Sequence, residues 1–239
     1  MKKLILPIAI CATLFTSFAF TGSGPCNIND YFVTGTSTKT GTYKADGTLT
    51  GTETSTVTSV STSGDSTIAV IATSYVDAKN KDQSHDGSIR MICLNNMLLM
   101  DLGGMMSSMM GSQGKDMKIV MKGGIVPYKT SYTAGEKLDD INMTMEMYNG
   151  TALFATSDIH ITNRVVDAIE DHTTPAGTFN CYKISSTNSV VMHMGAMNMP
   201  QKASKSVEWY SPKAGMVRSE AYKDGNLFSY NELLSFTKP

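Results

Sequence analysis

The chain has 239 residues, 20 basic and 21 acidic side chains and a hydrophobic fraction of 41%, which is enough for one domain with a substantial core. A formal net charge of −1, with arginine only at Arg90, Arg164 and Arg218, leaves no basic stripe and excludes the nucleic-acid-binding class. The unusual component is methionine, at 18 residues. Its thioether is flexible and polarizable, adapts to irregular apolar partners, and is a soft ligand for Cu(I).

The chain opens Met1-Lys2-Lys3 and runs apolar from Leu4 to Phe20, with Ser17-Phe18-Ala19 near the end. This is the layout of a secretory signal peptide cleaved after Ala19. Residues 1–19 are therefore read as a leader and 20–239 as one exported domain, periplasmic or alternatively surface-exposed or secreted. Pro7, Thr13, Thr16 and Ser17 interrupt the run, whereas a bilayer span takes about 20 mostly apolar residues, so no membrane span is expected. Of the cysteines beyond the leader, two are expected to pair in an oxidising compartment. Cys26 stapled to the strand holding Cys93 is the expected disulfide, contributing on the order of 4 kcal/mol in the chain-entropy model. Cys181 reads as a small buried thiol.

From Tyr31 onward the punctuation is that of antiparallel strands. Asp46-Gly47 separates Lys39–Lys44 from Thr48–Thr62, a strong hairpin signal. Ser66–Val76, Ser88–Leu94 and Met97–Leu102 follow, the last two split by a tight turn at Asn95-Asn96. Within Asp101–Gly111, Met105/Met109 and Met106/Met110 stand at i, i+4 spacing, predicting a short Met-faced helix. Strands resume at Met117–Lys122. Ile141–Tyr148 places Met143, Met145 and Met147 on one face, and Asn149-Gly150 turns into Ala152–Ser157. Ile159–Ile169 and Phe179–Ser185 flank a turn at Thr174-Pro175-Ala176-Gly177. Ser204–Tyr210, Met216–Tyr222 and Leu227–Phe236 close the chain. The total is roughly a dozen strands in one sheet-rich domain.

Several motifs are specific enough to compare with a known family: Val165-Val166, Thr174-Pro175-Ala176-Gly177-Thr178-Phe179, Cys181-Tyr182-Lys183-Ile184, Glu208-Trp209-Tyr210-Ser211-Pro212 and Gly215-Met216-Val217-Arg218. With Cys26, Tyr31-Phe32, Gly41-Thr42-Tyr43 and Cys93 upstream, the chain resembles the TapB-like family of small exported proteins, which has no assigned function. The resemblance implies a mainly β protein: a single curved antiparallel sheet, a half-barrel resembling periplasmic lipoprotein carriers, with one or two short helices. It carries over no catalytic residue. Read by their own chemistry, Pro175 and Gly177 are turn formers, and Trp209 is a core anchor.

No catalytic constellation is expected. His85, His160, His172 and His193 have no second ligand at metal spacing, and no nucleophile elbow or phosphate loop occurs. Asp139-Asp140 and Glu170-Asp171 are adjacent pairs whose members point apart on a strand. The chain is thus read as a non-enzymatic exported binding or carrier protein, without a cofactor. Its partner is an apolar small molecule or lipid (an acyl chain or a lipidated peptide), bound by Met105, Met106, Met109, Met110, Met143, Met145 and Met147. A competing reading is a periplasmic Cu(I) site at Met192, His193, Met194, Met197 and Met199, although a regular strand points His193 away from Met192 and Met194, and Met197–Pro200 would be a loop. A cell-surface assembly or adhesion module is a third class. No residue discriminates it, and the oligomeric state is not in the sequence.

Overall fold

A computed structural model of the chain describes residues 32–80, 84–101 and 117–239. The first half supplies β1 (Ser37–Lys44), β2 (Leu49–Ser63), β3 (Ser66–Asp77), β4 (His85–Leu94), β5 (Met97–Asp101), β6 (Met117–Lys122) and β7 (Ile125–Lys129). The second supplies β8 (Ile141–Asn149), β9 (Ala152–Thr174), β10 (Gly177–Met194), β11 (Met197–Pro200), β12 (Ser204–Ser211), β13 (Gly215–Lys223) and β14 (Asn226–Thr237). They form one antiparallel sheet in the order β6-β8-β9-β10-β12-β13-β14-β1-β2-β3-β4-β5-β7, with β11 paired to β10 off this path. The turns obey local chemistry. Asn95 and Asn96 both take positive φ (51° and 59°), the pattern of a two-residue type I′ hairpin, and Asp46 accepts a hydrogen bond from the Thr48 N–H at 2.9 Å.

The sheet is open, since no ladder joins its outermost strands, β6 and β7, among the described residues. Yet those strands are consecutive in sequence, linked only by Gly123 and Gly124. Laid flat at ordinary strand spacing, β6 and β7 would stand on the order of 55–60 Å apart. The link spans at most about 11 Å. The sheet must therefore roll until its two edges nearly meet, and this places an interior between strands distant in sequence. Buried side chains from β2, β3, β4, β5, β7, β8, β9, β10 and β12 pack together in that interior, among them Ile71, Met91, Leu98, Met143, Val166, Ile184 and Tyr210. A second cluster gathers Cys181, Val207, Trp209, Ala214, Val217 and Leu233. Tyr182 and Tyr210 face the first cluster while their neighbours Cys181 and Trp209 face the second, so β10 and β12 bury both faces, as period-two alternation requires.

Several expectations are corrected. The described residues contain no helix, so the expected one or two short helices are absent from them. The segment holding Met105, Met106, Met109 and Met110 lies outside the described residues. Met197–Pro200 is not a loop but β11, and Ile125–Lys129, which shows no strand signal because Pro127 interrupts it, is β7. Pro127 is tolerated because β7 is an edge strand with one pairing partner among the described residues. Ala152–Ser157 and Ile159–Ile169 are one strand, β9, whose alternation is broken where Asn163 takes φ 52° and the pairing with β10 shifts register.

Candidate functional site

Rolling the sheet leaves a cavity of about 470 Å³ lined by ten of the strands. Its two walls differ in chemistry because different rows of side chains face inward. Ala69, Met91, Met100 and Val126 are directly opposed across β3, β4, β5 and β7, and Met91, Met100, Val126 and Ile89 line the apolar wall. Across β12, β13, β14 and β1 the opposed residues are Glu208, Ser219, Asn231 and Thr42, a polar row on the other wall. The Asn231 side-chain amide donates to Ser219 Oγ at 3.1 Å.

Glu208 is the chemical focus. The Tyr128 hydroxyl, arriving from β7 on the opposite wall, donates to its Oε2 at 3.1 Å. Burial pushes the Glu208 carboxyl above the ordinary carboxylate range, and the Tyr128 hydrogen bond and the Arg164 charge only partly offset it. The Tyr128 phenol, buried and beside this carboxyl, is held well above its usual value, so it stays a donor. It also stacks on Tyr210 with ring centroids 4.7 Å apart. Arg164 is 5% exposed and donates to the Asp139 carbonyl at 3.0 Å. Because its uncharged form is favoured in the folded chain, Glu208 supports stability most fully at low pH. That contribution is lost as pH rises through the ordinary carboxylate range and the raised one. The arrangement sets a buried carboxyl and a phenol hydroxyl, able to exchange hydrogen bonds, where the apolar wall meets the polar one.

Of the sequence-expected methionines, the ladder places the three described ones, Met143, Met145 and Met147, on β8. Met143 is 5% exposed in the main core, and Met145 and Met147 are half-buried on β8. None of the three lines the cavity, whose methionines among the described residues are Met91, Met100 and Met216. Two groups that look separate in sequence are nevertheless joined. Met121 opposes Met145, Met145 opposes Ser157, Ser157 opposes Met192, and Met192 opposes Met199. Directly opposed residues share a face, so Met143–Met147 and Met192–Met199 belong to one methionine-rich face spanning β6 to β11. His193 lies on the other face, with Nδ1 2.7 Å from Asn198 Oδ1 and Nε2 3.0 Å from Asp158 Oδ2. Acceptors at both nitrogens raise its pKa, Asn198 contributing most and Asp158 next.

The other expected residues have structural partners. His85 stacks on Tyr75, His172 rests against Trp209, and His160 Nδ1 meets Asn142 Oδ1 at 2.6 Å. Cys181 is a fully buried free thiol whose pKa burial, then Asp171 and Glu170, push up to about 12. Cys93 is buried in β4, and Cys26 lies outside the described residues. Sequence reasoning missed Tyr128 and the role of Glu208. Their only signal was alternation, in a strand hidden by Pro127 and in the Glu208-Trp209-Tyr210 motif read as structural.

An open, rolled antiparallel sheet, with no helix long and apolar enough to cross a membrane among its described residues, defines a class of mainly β domain that recurs in bacterial proteins of known structure. One, described as a candidate lipoprotein from Parabacteroides distasonis, is 23% identical and aligns over 86% of this chain and 96% of its own with a TM-score of 0.67. Another, described as a candidate exported protein with a YmcC-like fold from Bacteroides fragilis, is 21% identical over 86% of this chain and 97% of its own, at a TM-score of 0.64. At these identities the likeness establishes the fold. Residues 33–233 match the DUF3108-like family, and the chain belongs to that family. The narrower TapB-like name is not what this match supplies. No curated protein matches.

Proposed function

We propose that the protein is a non-enzymatic exported binding protein that holds one apolar molecule bearing a single hydrogen-bonding head group. The observation that carries this reading is the cavity of about 470 Å³, within the range of about 300–1,000 Å³ typical of small-molecule sites. Its apolar wall faces a polar one that holds the buried Glu208 carboxyl, with Glu53 and Arg218 also in the lining. A fatty acid or another acyl chain fits this chemistry, with Glu208, whose uncharged form burial favours, and the Tyr128 hydroxyl meeting the head group. Export is supported by the lysine-flanked apolar run from Leu4 to Phe20 and by the descriptions of the structural relatives as lipoprotein and exported protein.

A dansyl-labelled medium-chain fatty acid is expected to bind at one site and to be displaced by its unlabelled counterpart. Met216→Trp, which puts an indole into the cavity, is expected to lower affinity at least about tenfold while the far-UV circular dichroism is unchanged. Binding by wild type is expected to weaken as pH rises and Glu208 ionises, and Glu208→Gln is expected to flatten that dependence. Equal affinity in wild type and a folded Met216→Trp variant would refute the cavity as the site.

The export reading also supports a Cys26–Cys93 disulfide. Cys181 is the free cysteine among the described residues, and Cys93 sits buried in β4, within the oxidising compartment that export implies. Peptide mapping of unreduced protein is expected to recover the two cysteines in one linked fragment. Recovery of Cys26 as an alkylated thiol would exclude the bridge.

A further inference from the structure

No methionine of β8, β10 or β11 lines the cavity, and the β10–β11 end of the methionine-rich face is accessible. Met194 and Met197 are 37% and 60% exposed, and Met192 and Met199 are half-buried beside them. In the ladder Met192 faces Met199 and Met194 faces Met197, with no register shift. Directly opposed Cβ atoms stand about 5 Å apart and residues two apart along a strand about 7 Å. The four Cβ atoms thus outline a rectangle whose centre is about 4 Å from each corner. A methionine arm plus one metal–sulfur bond spans that distance, so four thioethers can converge on a single ion above the hairpin. The face offers little else to a cation. The other donors nearby, the hard Asp158 carboxylate and the borderline His193 ring, bond to each other on the opposite side, and Asn198 holds the second ring nitrogen.

We propose that Met192, Met194, Met197 and Met199 form a soft-metal site for a monovalent d10 ion, Cu(I) or Ag(I), made of thioethers alone and excluding His193. Donation by neutral thioethers alone matches soft monovalent ions; it offers magnesium no oxygen and zinc no thiolate or imidazole. The site needs no redox step, because the ion binds in the oxidation state in which it arrives. It is independent of the apolar cavity, so either can fail without the other.

The test is titration of the full exported chain, labelled at its methionine methyls with carbon-13, with Ag(I) in chloride-free buffer. One equivalent is expected to saturate shifts confined to the four named methyls, and Cu(I) kept reduced under nitrogen is expected to compete for the same site. Met194→Leu with Met197→Leu, at the two most exposed positions and nearly volume-conserving, is expected to weaken Ag(I) binding at least tenfold with an unchanged dichroism spectrum. His193→Ala is expected to bind as wild type does. Absence of shifts, shifts spread over other methionines without saturation at one equivalent, or loss of binding in His193→Ala would each overturn the proposal.

Discussion

Trp209→Ala is expected to destabilise the fold by about 3–5 kcal/mol, the usual cost of emptying a buried aromatic site. Trp209 is 7% exposed at the centre of the second core, beside Cys181, Val207, Val217 and Leu233. Its indole N–H donates to Glu170 Oε1 at 2.8 Å, the Lys183 ammonium sits 5.0 Å above its ring, and the His172 ring lies 4.9 Å away. These contacts tie β9 and β10 to β12, so the indole holds together the part of the sheet that buries both faces. Trp209→Phe keeps most of the burial and loses chiefly the hydrogen bond to Glu170, which is partly exposed and can rehydrate. A cost of about 1 kcal/mol is expected there. Urea denaturation followed by far-UV circular dichroism measures both, since the substitution removes the only tryptophan. An alanine variant within about 1 kcal/mol of wild type would show that the second core does not take part in the cooperative fold.

Gly123→Ala is expected to cost about 2 kcal/mol or more. At φ +71° any L side chain meets a conformational penalty of roughly 1–2 kcal/mol, and here a Cβ would also come to 2.7 Å from the Asn142 carbonyl oxygen. That oxygen belongs to the backbone of β8 and cannot swing aside as a side chain would. Gly150→Ala separates the two contributions, because Gly150 has φ +60° with nothing within 4 Å of the added carbon. It should show the conformational part alone. Equal losses in the two variants would mean that the link between β6 and β7 yields freely to the added carbon. The loss is read as a fall in denaturation midpoint at unchanged slope.

The strand content was legible because each hairpin carries its own chemistry. Asp46-Gly47 and Asn95-Asn96 turn where the sequence predicts, and the hairpin expected at Asn149-Gly150 turns one residue later, at Gly150-Thr151. Boundaries were legible only where alternation was clean. Pro127 masked β7, and the bulge near Asn163 split β9 in reading though not in space. The methionine clusters were visible as clusters, and the outward direction of His193 followed from strand alternation alone. Their union into one face was not visible, because it depends on the β8–β9–β10 registers, which join Met145 to Met192 through Ser157.

Local sequence by itself thus determined a β-rich domain, its turns, the buried thiol at Cys181 and the anchoring role of Trp209, since each follows from a residue and its near neighbours. Only the tertiary structure decided that the sheet rolls until β6 and β7 nearly meet. That rolling brings Tyr128 onto Glu208 across 80 positions of chain and encloses a two-walled cavity. The reason is physical: period-two alternation sets which side a residue faces, but what lies opposite is set by strand order and curvature, and a two-residue link between opposite edges imposes that curvature on the whole sheet.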